Sequence, residues 1–142
     1  DLARQEPALL AAGAQLALQV DAGLPPVRFD PDAVAQILQN LLDNAEKYSR
    51  GAADRTLEVR LEQGPGEVRL SVRDHGPGVS PAAARRLFRP FQRATRNGAP
   101  EGLGLGLALV QALSRAHGGA ARIEAAPGGG ARVTVSFPQS AS

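Results

Sequence analysis

Leu57-Glu58-Val59-Arg60-Leu61-Glu62-Gln63-Gly64-Pro65-Gly66-Glu67-Val68-Arg69-Leu70-Ser71-Val72-Arg73-Asp74 alternates apolar and polar residues on either side of a Gly-Pro-Gly break. Alternate side chains of a strand share one face. The stretch therefore predicts a hairpin with Leu57, Val59, Leu61, Val68, Leu70 and Val72 on the core side. Glu58, Arg60, Glu62, Arg69 and Arg73 fall on the wet side. Downstream, Ala121, Ile123 and Ala125 are set to pair with Val133, Val135 and Phe137 across a turn at Pro127–Gly130. Leu16 to Val20 reads as a further short strand. A long helix runs from about Pro31 to Arg50, with Asp30 as N-cap and Pro31 at its first position. A second runs from about Gly104 to His117, and residues 4–14 read as a short Ala-rich helix. This order lacks regular strand–helix–strand alternation. It predicts an α+β two-layer sandwich, a mixed and mostly antiparallel sheet covered on one face by helices.

The chain has 142 residues, enough for one domain with a real core. Hydrophobic residues at 43% and charged ones at 21% argue against disorder. The absence of Cys excludes disulfide scaffolds and thiol nucleophiles, and His75 and His117 stand too far apart in sequence to suggest a zinc site. No apolar run approaches the ~18 residues of a membrane helix. With no Met and Asp1 as its first residue, the chain is expected to be a piece of a longer protein. All but one of its 16 basic residues are arginine, Lys47 being the exception, and the net charge is +2. Arg85, Arg86, Arg89, Arg93 and Arg96 form a run with no acid among them, suited to nucleic acid, an acidic partner or a phosphate chain.

Three clusters carry chemistry. On the long helix, Val34, Ile37, Leu38, Leu41, Ala45 and Tyr48 make the core stripe. Asn40, Asn44 and Lys47 occupy an arc of about 60° beside it. These could form an ordinary polar face. Yet Asn is a poor helix-interior residue, while an amide oxygen suits Mg²⁺ and a lysine one turn away suits phosphate. In the second cluster, Asp74 has the parity of the core residues Val68, Leu70 and Val72, and burying a carboxylate is expensive without a partner. It either closes a strand-ending Asx-turn or is an acceptor aimed into a pocket, for example at the exocyclic amine of a purine. Gly76 and Gly78 follow, where glycine permits positive φ and close approach of a ligand. In the third, Gly102-Leu103-Gly104-Leu105-Gly106-Leu107 opens the second helix. It fits neither a dinucleotide fingerprint nor a P-loop. It is either a flexible hinge or a helix N-terminus that favours phosphate.

Taken in order, these segments resemble the catalytic ATP-binding domain of bacterial sensor histidine kinases, in the wider group of gyrase, Hsp90 and MutL. Gln36 to Ser49 resembles the N box, Asp74-His75-Gly76-Pro77-Gly78 the G1 box, Leu87-Phe88-Arg89-Pro90-Phe91-Gln92-Arg93 the F box, and Gly102 to Leu107 the G2 box. The resemblance implies that Asn44 ligands Mg²⁺, with Asn40 beside it at the phosphates. Lys47 would touch phosphate and Tyr48 would lie against adenine. Asp74 would accept a hydrogen bond from the adenine amine, with Gly76, Gly78 and Val79 alongside. Arg93 would be the lid's contact to the terminal phosphate, and the backbone of Gly102, Leu103, Gly104, Leu105, Gly106 and Leu107 would wrap the triphosphate. An ATP lid is expected within about residues 76–106, in a domain covering residues 1–142.

In the gyrase-like members the residue four before the metal-binding asparagine is a glutamate that activates water. Here it is Asn40, which cannot act as a general base. The resemblance therefore implies a domain that holds Mg-ATP, turns little of it over alone, and gives the γ-phosphoryl group to a histidine of a separate dimerisation domain upstream. Transfer would rest on positioning and charge neutralisation. The implied partners are that dimerisation and phosphotransfer domain and a response regulator, with a monomeric fragment, a homodimeric parent and no nucleic acid. The implied location is cytoplasmic, with anchorage of the parent in the bacterial inner membrane open to it. An anti-sigma-type serine kinase and a degenerate, non-catalytic nucleotide-binding domain are the alternatives. Leu103, where the family usually has Ser or Thr, keeps the second alive. Glu46 stands at a usually apolar position but on the predicted wet face. His75 is a poor phospho-acceptor inside the adenine motif, and His117 reads as structural.

Overall fold

The structure is a computed structural model that describes residues 13–78, 80, 82 and 106–139. Its elements are β1 (Gln15–Val20), α1 (Pro31–Ser49), β2 (Thr56–Gly64), β3 (Glu67–Arg73), α2 (Gly106–Ala116), β4 (Ala120–Ala125) and β5 (Ala131–Pro138). The predicted helix at residues 4–14 and the short helix and lid expected after Gly78 fall almost wholly outside the described residues.

The five strands form one sheet in the order β1-β2-β3-β5-β4. β1 runs parallel to β2, and every other pairing is antiparallel. A parallel neighbour requires a long crossover, and α1 supplies it. Both hairpins form where the alternation predicts them. The register of the second differs from expectation by one pair: Ala125 faces Ala131 and Ala121 faces Val135. Phe137 lies beyond β4 and pairs with Val68 of β3. The three glycines, all at positive φ, close the turn within residues 126–130, two residues sooner than the expected pairing of Ala125 with Val133 requires.

α1 starts as its sequence dictates. The Asp30 carboxylate accepts from the Asp32 amide at 3.0 Å, and Pro31 fills a position whose N–H has no helical partner. α1 and α2 pack on each other and on one sheet face, enclosing Ile37, Leu41, Leu42, Leu57, Val59, Leu70, Val72, Val110, Val133, Val135 and Phe137. The buried stripe of α1 is rotated from the predicted one. Val34 is half-buried, whereas Glu46 and Ser49, on the Leu42 side of the stripe, are buried. On the opposite sheet face Glu58, Arg60, Glu62, Arg69 and Arg73 are half-buried, Arg122 and Glu124 of β4 are exposed, and Ser71 and Thr134 are buried.

Glu46 is the chief departure from the predicted surface. Its carboxylate takes hydrogen bonds from Arg50 and from Arg55, the latter at 2.8 Å, and Arg55 also reaches the Ser49 hydroxyl. The Arg50 hydrogen bond, ahead of its charge and of Arg55, holds the Glu46 carboxyl below the usual glutamate range against the opposing effect of burial. A lowered folded-state pKa means stability that is present above the ordinary glutamate value and is lost as pH falls through the folded one. Glu46→Ala is expected to destabilise the domain by about 1–3 kcal/mol at neutral pH. Urea unfolding at pH 7 and pH 3 checks this, and the deficit should shrink at the lower pH.

Candidate functional site

β3 delivers Asp74 to the core end of the sheet. Its backbone N–H donates to the Ala131 carbonyl at 3.0 Å, and its side chain is only 2% exposed. Oδ1 accepts from the Gly76 amide at 2.9 Å and from the Ala131 amide at 3.3 Å. The bond from Gly76 is the Asx-turn anticipated from sequence, so the turn and the inward carboxylate coexist. Two backbone donors fix the carboxylate's orientation, as a buried anion requires.

The loop after Asp74 is pressed against the end of α1. A Cβ added to Gly76 would lie 1.9 Å from the Tyr48 carbonyl oxygen. Neither Gly76 nor Gly78 has positive φ. The closeness that demands glycine at position 76 is therefore to the protein's own backbone and not to a ligand. Gly130, from the turn between β4 and β5, makes the same approach from the other side. Its φ is +80°, and a Cβ there would lie 1.9 Å from the Asp74 carbonyl oxygen. Asp74 is thereby held between the C-terminal turn of α1 and the β4–β5 turn.

Along α1, Asn40 and Asn44 are half-buried, Lys47 is exposed and Tyr48 is half-buried. Burial raises the Asp43 carboxyl above its usual range, while the Lys47 ammonium pulls it down. Asn40 Nδ2 is buried with no hydrogen-bond partner among the described residues. Asn40 Oδ1 stands 3.9 Å from the position of a Gly106 Cβ, so the first residue of α2 borders the asparagine arc. Asn40 thus borders the start of α2, and Tyr48, two turns further along α1, borders the loop of Gly76 after Asp74, with Asn44 and Lys47 on the helix between them. Gly78 is exposed beside Gly130. Leu107 is a core residue at 4% exposure, so only its backbone can face a ligand. Val79, Arg93, Gly102, Leu103, Gly104 and Leu105 lie outside the described residues.

Among the described residues no three His, Cys, Asp or Glu side chains gather as a metal cluster. A cation here would take its ligands from amide oxygen and from an anionic ligand. His75 points to the opposite sheet face, where Nε2 lies 2.7 Å from Glu58 Oε2. The His117 ring stacks on Phe29 at 4.3 Å, and its Nδ1 lies 2.9 Å from the Leu113 carbonyl oxygen. Its structural reading is borne out. Sequence reasoning missed Gly130 and Ala131. The available signal was the run Gly128-Gly129-Gly130, longer than a simple turn needs.

A family model described as histidine kinase-, DNA gyrase B-, and HSP90-like ATPase matches residues 29–141. The chain is 37% identical over 128 residues to the adaptive-response sensory kinase SasA of Synechococcus sp. (strain JA-2-3B'a(2-13)), covering 89% of this chain and 34% of that protein. It is 37% identical over 124 residues to the sensor protein KdpD of Rathayibacter rathayi, covering 87% of this chain and 14% of that one. The chain therefore spans about a third or less of these relatives. Full-length ShkA in complex with AMPPNP superposes with a TM-score of 0.79 at 33% identity, covering 99% of this chain and 29% of ShkA. The mycobacterial sensor histidine kinase MprB gives 0.75 at 29% identity, covering 97% and 91%.

The close approaches make a direct prediction. Gly76→Ala and Gly130→Ala should each destabilise the domain by about 2–4 kcal/mol, because backbone must move to admit the methyl group. Gly78→Ala, whose nearest neighbour is 3.9 Å away, should stay within about 0.5 kcal/mol of the parent. Denaturant midpoints of the three variants check the ranking.

Proposed function

Since the chain belongs to the histidine kinase-, DNA gyrase B- and HSP90-like ATPase family, we propose that it binds Mg-ATP in the region between α1, the end of β3 and the start of α2, and donates the γ-phosphoryl group to a histidine on a separate domain. One observation carries the reading. The loop that fixes the buried Asp74 carboxylate packs through Gly76 on Tyr48, at the end of the helix that carries Asn40, Asn44 and Lys47. A carboxylate acceptor suits the exocyclic amine of adenine. Tyr48 would supply a ring face, and Lys47 charge for the phosphates.

The buried, unpartnered Asn40 Nδ2 gives the test of fit for the cofactor. An orphaned amide donor costs free energy unless something accepts from it, and a phosphate oxygen would satisfy it. The neighbouring Asn44 supplies the hard amide oxygen that Mg²⁺ takes alongside water and phosphate. When bound, the metal would neutralise phosphate charge. Gly106, with Gly102, Leu103, Gly104 and Leu105, would offer backbone N–H groups to the phosphates, and Gly78 and Val79 would lie beside the adenine. Arg93, on the lid expected in residues 76–106, would reach the terminal phosphate.

Asn40 separates transfer from hydrolysis. An amide takes no proton from water at neutral pH, so the isolated chain should hold ATP and turn over little of it. The acceptor histidine would belong to an upstream dimerisation and phosphotransfer domain, with a response regulator receiving the group next. Resemblance to SasA, KdpD, ShkA and MprB, each named as a sensor or histidine kinase or found with its nucleotide analogue, supports histidine over serine as acceptor. No described helix is long and apolar enough to cross a membrane.

Thermal unfolding should shift upward with ATP and ADP, more with Mg²⁺ than without, and little with GTP, since a ligand of the native state alone stabilises it. Asp74→Asn should weaken ATP binding by roughly tenfold or more, the worth of a hydrogen bond to a charged group. Calorimetric titration giving equal affinities for parent and variant would refute the adenine assignment.

A further inference from the structure

Asp74 is flanked in sequence by Arg73 and His75, both of which alternation sends to the sheet face away from the helices. Neither is an idle surface residue. Arg73 Nη2 donates to the carbonyls of Pro127 at 2.7 Å and of Gly129 at 3.0 Å. Its Nη1 lies 3.7 Å from Glu58 Oε2, the same oxygen that His75 Nε2 approaches at 2.7 Å. Arg73 is 16% exposed at its side chain, deep for a guanidinium on a sheet face. The carbonyls it holds belong to the turn between β4 and β5, 54 and 56 residues away in the chain.

That turn carries one of the two backbone amides on Asp74 Oδ1. Its Gly130 sits against the Asp74 carbonyl, and Ala131, the next residue, donates its amide to Asp74 Oδ1. A turn containing Gly128, Gly129 and Gly130, all at positive φ, loses more conformational freedom on ordering than any other sequence would. Two charge-assisted hydrogen bonds from one rigid guanidinium fork offset that loss where backbone bonds alone are few.

We propose that Arg73 is a positioning residue for nucleotide-base selection: from the opposite sheet face it clamps the Pro127–Gly129 carbonyls, holding the Ala131 amide on Asp74 and so fixing the carboxylate that reads the base amine. This rests on the reading of Asp74 given above. Glu58 completes the brace by holding Arg73 and His75 to one point on β2.

The test compares Mg-ATP with Mg-purine riboside triphosphate, which lacks the 6-amine, by calorimetric titration of the 142-residue chain. The parent should prefer ATP. Arg73→Ala should weaken Mg-ATP by about tenfold while changing the desamino analogue by less than about twofold, and Arg73→Lys, which keeps the charge without the planar fork, should regain only part of the preference. A role in stability alone would lower the melting temperature and leave the ratio of the two affinities unchanged, and that result overturns the proposal. If Arg73→Ala does not fold, Arg73→Gln gives the same reading, with an unchanged ratio again decisive against it. A parent that binds both triphosphates equally refutes the adenine role of Asp74 itself, before any variant is made, and the positioning role falls with it.

Discussion

A carboxylate buried at the end of a central strand is the constraint around which this domain is arranged. Left without partners, such a group would neutralise or drag the strand end into water. Asp74 has two backbone amides on one oxygen, one from its own loop and one from β5. Neither donor is a mobile side chain, so the carboxylate is fixed as firmly as the sheet. To bring those amides into range the chain must pass close to itself twice, at Gly76 against Tyr48 and at Gly130 against Asp74. Glycine is required there by contact with backbone. The site and the fold are the same set of contacts.

That identity explains how two distant pieces of sequence come to serve one region. Asn40, Asn44 and Lys47 ride on α1, whose position is set by its apolar stripe over β2 and β3. Asp74 rides on β3. The Gly76–Tyr48 approach locks the two together at the end of the helix, one turn beyond Asn44. At the other flank, Gly106 begins α2 beside Asn40. The orphaned Asn40 amide is what remains when a helix places a polar side chain at a buried boundary where no other described residue satisfies it.

Much of this was legible because it depends on periodicity. Period two put Asp74 on the core side, and the helical repeat put Asn40, Asn44 and Lys47 on one arc. The N-cap at Asp30 and both hairpins were readable from turn and capping chemistry. What escaped depends on tertiary partners. Glu46 fell on the predicted wet face, but Arg55, from the connection to β2, reaches over and buries it together with Arg50. No periodicity in α1 announces an arginine nine residues later. The register of β4 against β5 escaped for a related reason, since the glycine run sets how far the turn extends before pairing resumes. Gly130 and Ala131 escaped because their importance lies in touching Asp74 across a gap of more than fifty residues.

The alternation that buries Asp74 also decides what its neighbours can do. With one residue of a strand committed to the interior, the residues on either side must face outward, and here both are cationic or capable of becoming so. The outer face answers with Glu58, whose single oxygen meets His75 and lies near Arg73. A sheet is one layer thick, so forces applied to its outer side chains reach inner ones through shared backbone. Here the path is short: guanidinium to turn carbonyl, and turn to the Ala131 amide on Asp74. The orientation of the buried carboxylate can therefore depend on residues on the far face of the sheet.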